Sequence, residues 1–196
     1  AGALADRGEK LGVIWVDAHL DMNKPETSPS GNIHGMPVSV LLGDGYASLC
    51  ALYEGERAID PENMVLLGIR DVDELERELG KQSGVRIFSM SEIDERGLSV
   101  CLEEARERVT SGTAGVHLSF DLDAIDPSEA PGVGTPVPGG LTVRESHLIC
   151  EWAAQKMNLL GCEIVELNPT RDVRNQTAEL AVWLALSCVG KTVLGT

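Results

Sequence analysis

The chain of 196 residues carries 31 acids against 16 bases, a formal net charge of −15, with 43% hydrophobic and 24% charged residues. Such a composition suits one globular domain with a sizeable core. The charge argues against nucleic acid or an anionic membrane as partner, since both recruit cationic surfaces, and no apolar run approaches the ~20 residues that span a bilayer. Five cysteines (Cys50, Cys101, Cys150, Cys162, Cys188) are scattered without a C-x-x-C pair, which reads as reduced thiols in a cytoplasmic compartment. The sequence opens on Ala1 and not on methionine, so an N-terminal part, with or without a targeting signal, is expected to lie upstream.

Residues 1–10 are small and polar and read as the tail of a helix. Gly12 bounds a buried strand, Val13 to Val16, that breaks into Asp17-Ala18-His19-Leu20-Asp21. Strand side chains alternate faces, which starts Asp17, His19 and Asp21 on one side. Two carboxylates and an imidazole there repel or desolvate one another unless a cation sits between them. Taken alone, the stretch is equally a loop with a satisfied histidine and solvated acids. Met22 to Gly35 is a long loop punctuated by Pro25, Pro29 and Gly31, and loops of that length inside compact domains are usually functional. It holds Asn23, Ser30, Asn32 and His34, the last a candidate proton carrier.

Met36 to Leu42 reads as a short helix, followed by a surface excursion through Gly45 and Gly55. Met64 to Ile69 is a second buried strand, ending in Arg70-Asp71-Val72-Asp73. The helix expected over Val72 to Gln82 puts Asp73 and Glu76 on one face. Val85 to Phe88 is a third strand, and Ser89 with Glu92 forms a capping box. Ser99 is expected to cap a helix whose buried stripe is Leu98, Leu102, Ala105 and Val109. Gly115 to Asp121 is the fourth strand and repeats the first design, an apolar run closed by Asp121-Leu122-Asp123. Pro131 to Gly140, with Thr135, makes a stiff, turn-rich loop. Thr142 with Glu145 opens a helix to about Met157. Gly161 to Leu167 is the fifth strand, carrying Glu166. A last helix near Asn175 to Val189 carries Ala178, Ala181, Val182, Ala185, Cys188 and Val189 at helical spacing.

Strands separated by helices predict an α/β fold of three layers, αβα, around a central parallel sheet. In such folds the site lies beyond the carboxyl ends of the strands, where Asp17–Asp21, Asp71–Glu76, Asp121–Asp123 and Glu166 all fall. The second Asp-x-Asp ending decides between the readings. Asp17, Asp21, Asp121 and Asp123 together present the charge that two divalent cations neutralise. Glu166 reads as a counter-ion for a bound cation, and His117 and His147 as structural. Gly190-Lys191-Thr192 follows a helix and has Ala185 where a phosphate loop needs glycine, so it is set aside. The glycines of 132–140 lack a strand–glycine–helix context, and no G-x-S-x-G elbow exists.

Asp17-Ala18-His19-x-Asp21, Ser30-Gly31-Asn32-Ile33-His34-Gly35, Ser119-Phe120-Asp121-Leu122-Asp123 and the run from Asp126-Pro127-Ser128 to Gly134-Thr135-Pro136 resemble the ureohydrolases. The likeness extends through Glu166-Leu167-Asn168-Pro169. It is nearer to bacterial arginases than to agmatinases, on the lead-in to His34 and the Asp73/Glu76 pair. The resemblance implies a single arginase-like domain over residues 1–196, truncated at its N-terminus and lacking its first strands. It implies two Mn²⁺ ions bridged by Asp17 and Asp121, with Asp21 on one ion and His19 and Asp123 on the other. Asn23, Ser30 and Asn32 would hold the substrate α-carboxylate, and Asp73 with Glu76 its ammonium. Thr135 and Glu166 would line the guanidinium end, and His34 would assist proton transfer.

The implied reaction is manganese-dependent hydrolysis of L-arginine to L-ornithine and urea in a cytoplasmic homo-oligomer, a trimer or hexamer. Two cations sharing a water lower its pKa enough to supply hydroxide at neutral pH, and Asp123 would pass a proton to the departing amine. The family's Gly-Gly-Asp-His segment, source of a sixth ligand, is not among these residues, so the 196 residues alone are expected to favour one ion over the other and turn over little arginine. Leu20 and Ala124-Ile125 also stand where the family has a smaller residue and Gly-Leu. The alternatives are an agmatinase or other guanidino-compound ureohydrolase, and a non-catalytic relative. A one-zinc deacetylase of similar fold is opposed by the paired bridging acids.

Overall fold

Five β-branched and aromatic runs become the strands of one parallel sheet in the computed structural model, which describes residues 1–192 and 194. They are β1 (Leu11–Val16), β2 (Met64–Ile69), β3 (Arg86–Ser89), β4 (Gly115–Asp121) and β5 (Leu159–Val165), ordered β3-β2-β1-β4-β5 in space. Every pairing is parallel, so each connection must return across the sheet and brings covering helices with it. These are α1 (Gly2–Ala5), α2 (Pro37–Leu41), α3 (Ala47–Cys50), α4 (Glu74–Gln82), α5 (Met90–Arg96), α6 (Leu98–Val109), α7 (Val143–Lys156) and α8 (Gln176–Cys188). The chain steps outward from β1 to β3, then crosses back to lay β4 and β5 on the other side of β1. That reversal opens a crevice between the carboxyl ends of β1 and β4.

On one face Ile14, Val16, Val65, Leu67, Phe88, Leu118 and Phe120 pack against Leu102 and Ala105 of α6, Ile149 of α7 and Leu184 of α8. On the other, Val13, Trp15, Met64, Leu66 and Ile69 pack against Leu20, Met22 and Val38. Burying one such side chain contributes about 1.5–3 kcal/mol, and β2, buried at every position, draws on both faces. The third layer lies over β1–β3. Beyond it His117 and Glu163, which share that face of β4 and β5, stay partly exposed and 3.6 Å apart. Among the described residues no helix is long and apolar enough to cross a membrane.

Several boundaries differ from expectation for identifiable reasons. Gly12 lies inside β1, paired with Val116 of β4, and does not bound it; a Cβ there would come within 2.0 Å of the Val109 carbonyl at the end of α6. The stripe of α6 is buried as expected, but Ser99 is a helix-interior residue; the cap is Gly97 at φ 84°, without a side-chain bond. Ser89 accepts from Glu92 N, yet the reciprocal bond is missing because the Glu92 carboxylate pairs with Arg86 and Arg96. At Thr142 the capping box is complete. α4 opens at Glu74, after Asp73 as N-cap, and α3 occupies the surface excursion. β5 runs from Leu159 to Val165, and Glu166 at φ 65° ends it.

α8 buries Thr177, Leu180, Leu184, Ser187 and Cys188 while Val182, Trp183 and Val189 face outward. It is apolar nearly all round, so spacing alone could not choose its inner face. Leu20 fills space beneath α4, where a Cβ on Gly80 would lie 3.0 Å from its Cδ1. Ala124 and Ile125 are both buried in the main core. His147 on α7 bonds Ser187 of α8 at 2.9 Å, a structural contact.

Candidate metal centre

The β1–β4 register ends with Val16 beside Phe120, so Asp17 and Asp121, the next residue on each strand, arrive at the crevice together. Asp17 is 1% exposed, Asp123 2%, Asp121 6% and Asp21 8%. Burying four carboxylates is costly unless cations answer them. Among the described residues no Lys or Arg side chain pairs with any of the four.

Backbone and side-chain donors fix the carboxylates one by one. Asp17 Oδ1 accepts from His19 N at 2.7 Å, and its Oδ2 accepts from the Trp15 indole at 3.0 Å. Asp123 Oδ1 accepts from Ala18 N at 3.2 Å, and its Oδ2 from the Thr135 hydroxyl at 2.9 Å. Asp121 Oδ1 takes Asp123 N at 2.7 Å. His19 Nδ1 stands 3.3 Å from Asp17 Oδ1 and 3.2 Å from Asp123 Oδ2. One ligand atom each from Asp17, His19 and Asp123 falls within 4.8 Å of the other two, a spacing at which three donors share one ion. Asp21 and Asp121 border this trio and stand outside it.

The electrostatics carry the same message. Burial, then the charges of Asp17 and Asp123, push the Asp121 carboxyl up to about 10. Burial, then the Asp17 charge, holds Asp21 well above the usual carboxylate range, and burial likewise raises Asp17. For His19 burial acts downward, but hydrogen bonds and charge from Asp123 and Asp17 win and push it up to about 11. Oxygen donors with one imidazole and no thiolate fit a hard divalent ion such as Mn²⁺, so the residues present suit the metal that the family resemblance implies.

Above this floor lies a cleft of about 560 Å³ whose walls include every other expected site residue. Asn23, buried, donates from Nδ2 to Asp73 Oδ2 at 3.0 Å, and Thr27 donates to Asn23 Oδ1 at 2.9 Å. Glu76 Oε1 accepts from Met22 N at 2.9 Å; burial raises its carboxyl and that bond opposes the rise. The acid pair at the start of α4 therefore clamps the chain leaving β1. Ser30, Asn32 and His34 sit exposed on the rim, in a loop whose turns Ser28 and Ser30 tie by accepting from Gly31 N and Asn32 N. Thr135 and Glu166 close the opposite wall.

Asp21 at φ 53° and Glu166 at φ 65° both hold left-handed backbone, which costs a residue with a Cβ about 1–2 kcal/mol. Such strain persists where the surroundings impose it, commonly at functional sites. Four residues at the site escaped the sequence reading: Trp15, Ser119, Glu163 and Arg70. Trp15 stands two residues before Asp17 on the same strand face, a signal available from period-2 alternation. Ser119 donates to Glu163 Oε1 at 3.0 Å, and Arg70 grips backbone carbonyls that no sequence pattern marks.

The model of the arginase family matches residues 1–190. An arginase of Bacillus subtilis (strain 168) is 50% identical over 186 residues, 95% of this chain and 62% of its own. The solved native arginase of Bacillus caldovelox superposes with a TM-score of 0.91 at 49% identity, covering 94% of this chain and 62% of the other. A solved Entamoeba histolytica arginase in complex with L-ornithine gives a TM-score of 0.87 at 32% identity, with the same coverage, 94% and 62%. The chain thus spans a little under two thirds of the length of these relatives. The match along almost all of its length, on the fold just described, places the chain in the arginase family.

Proposed function

We propose that the chain carries the site of a manganese-dependent arginase, which hydrolyses L-arginine to L-ornithine and urea. The observation that carries this reading is the convergence of Asp17, His19 and Asp123 on one point among four buried carboxylates, at the base of an open cleft. Asp17 and Asp121 would serve both Mn²⁺ ions, Asp21 one of them, and His19 with Asp123 the other. Bound there, the ion pair supplies water acidic enough to attack at neutral pH. A guanidinium carbon needs that help because its charge is delocalised.

The protein's own groups do the rest. Asn23, Ser30 and Asn32 take the α-carboxylate; Asp73 and Glu76 take the ammonium. Thr135 and Glu166 receive the guanidinium, Glu166 as its counter-charge. Asp123 Oδ2, steadied by the Thr135 hydroxyl, would take the proton of the hydroxyl added to the guanidinium carbon and pass it to the departing amine as the C–N bond breaks, and His34 on the rim would carry protons to solvent. The L-ornithine complex of the Entamoeba relative supports an amino acid end in the substrate. Five free cysteines suit a cytoplasmic setting, and a trimeric or hexameric assembly belongs to the same reading. The test is urea and ornithine release from arginine by the intact protein with added Mn²⁺; absence of both products rejects it.

A second reading keeps the chemistry and changes the substrate to agmatine or another guanidino compound. The exposed rim favours it: Ser30 and Asn32, the groups for an α-carboxylate that agmatine lacks, bond within their own loop, while the ammonium that agmatine keeps still meets Asp73. Rates on arginine and agmatine, with Asn32→Ala, separate the two: loss confined to arginine, the substrate that carries the α-carboxylate, supports the arginase.

A further inference from the structure

We infer that Arg70 is a positioning residue of the candidate metal centre: its guanidinium, caged by main-chain carbonyls, holds Asp123 and the Thr135 loop in place against the end of β2. This rests on reading Asp17, His19 and Asp123 as metal ligands. Arg70 follows β2 directly and is the one base in Arg70-Asp71-Val72-Asp73. Its backbone N–H donates to Ala18 O at 2.8 Å, tying it to the turn between Asp17 and His19. Its side chain reaches the end of β4. Nη2 donates to Asp123 O at 2.8 Å and Val137 O at 2.6 Å. Nη1 donates to Ala124 O at 3.1 Å and Gly68 O at 3.3 Å. Nε is shared between Val137 O at 3.2 Å and Pro138 O at 3.3 Å.

A half-buried guanidinium ordinarily finds a carboxylate. Here no carboxylate oxygen of the described residues lies within hydrogen-bonding distance, and carbonyls from three separate segments take its donors. Only a rigid planar fork with five N–H groups can serve three segments at once; a lysine ammonium offers one point on a flexible stem. The cage is closed by Gly140, where a Cβ would come within 2.6 Å of Nη2 and 2.7 Å of Ala124 O. The loop it grips is the one that brings the Thr135 hydroxyl to Asp123 Oδ2. Asp123 is therefore constrained twice, through its own carbonyl and through the donor on its carboxylate. Both constraints lead to Arg70. Gly68, a third partner, holds φ 97°, and a Cβ there would lie 3.0 Å from the Asp17 carbonyl oxygen.

A role confined to the fold would weaken both ions alike and lower the melting temperature. Positioning weakens the ion held by His19 and Asp123 selectively. The experiment titrates Mn²⁺ into the intact protein, reads free Mn²⁺ by electron paramagnetic resonance, and compares Arg70→Lys with the unsubstituted protein. Folding is verified by far-ultraviolet circular dichroism. The expected result is a folded variant in which one Mn²⁺ binds about 10–100-fold more weakly, the range for a group that orients a ligand, while the other is unchanged. Unsubstituted affinity at both ions, or equal weakening at both, overturns the inference. Should Arg70→Lys not fold, Arg70→Gln, a shorter planar amide that keeps two donors, is compared instead, and the same two outcomes apply. Failure of the unsubstituted protein to bind Mn²⁺ at all overturns the metal reading itself, and this inference with it.

Discussion

Replacing Trp15 by phenylalanine removes one N–H from the site and leaves most of the aromatic surface in place. The indole donates to Asp17 Oδ2 at 3.0 Å from a side chain that is 8% exposed. A buried hydrogen bond to a charged group contributes about 1.5–3 kcal/mol, and about 1.4 kcal/mol is tenfold in an equilibrium constant. Two consequences act in the same direction at neutral pH. The Asp17 carboxylate loses one of the two bonds that set its torsion, so a cation must order it on binding. Its pKa, already raised by burial, rises further, so protons compete harder for the oxygens. A carboxylate stripped of a donor is also a better electron donor to a metal, but that gain is realised only after the proton has gone. The expected outcome is Mn²⁺ binding weakened by about 10–100-fold, measured by titration calorimetry, with a deficit that shrinks as pH rises. Trp183→Phe, on the outer face of α8, is the control. Equal Mn²⁺ affinity in Trp15→Phe and the unsubstituted protein would refute the reasoning.

Thr142→Ala dismantles the capping box at the start of α7, where Oγ1 accepts from Glu145 N at 3.2 Å and Glu145 Oε2 accepts from Thr142 N at 2.8 Å. It should cost about 1 kcal/mol and lower the melting temperature by about 2–4 °C in a chain of this size; an unchanged transition removes the cap from the account. Asp126 is held down to about 2 by the Ser128 hydroxyl and amide, with Gly139 N and Gly140 N adding to them. Its folded pKa lies below the unfolded one, so its contribution is complete above about 4 and is lost as pH falls through about 2. Melting temperature should therefore fall more steeply in acid for the unsubstituted protein than for Asp126→Asn, and parallel curves would contradict this. Gly12→Ala drives a methyl toward the Val109 carbonyl and should destabilise by about 1–3 kcal/mol as overpacking does, read from urea denaturation; a neutral substitution would show that α6 can give way.

The strands and the acids at their ends were readable because both rest on local pattern. Buried parallel strands are unbroken apolar runs, and Asp-x-Asp closes two of them. Side chains meeting over long separations were less readable. The outer face of α8 could not be chosen from a helix that is apolar all round, and the end of β5 is set by the left-handed Glu166. Ser99 carried the right residue type for a cap but lost the position to Gly97, whose φ of 84° is open to glycine at no steric cost. Arg70 was opaque in principle. Its partners are carbonyl oxygens, which every residue possesses and no sequence distinguishes.

Placing β4 against β1 joins segments far apart along the chain: Ala18 N reaches Asp123 across 105 residues. Loop closure of that span must precede any reward from the contact, whereas the neighbouring β1–β2 pairing closes a much shorter one. The trio that gathers a cation consequently straddles the strand pairing with the longest loop to close. A collapsed intermediate with β1, β2 and β3 in order would own Asp17 and His19 yet lack the third donor, which makes tight ion capture a signature of chains that have completed their topology.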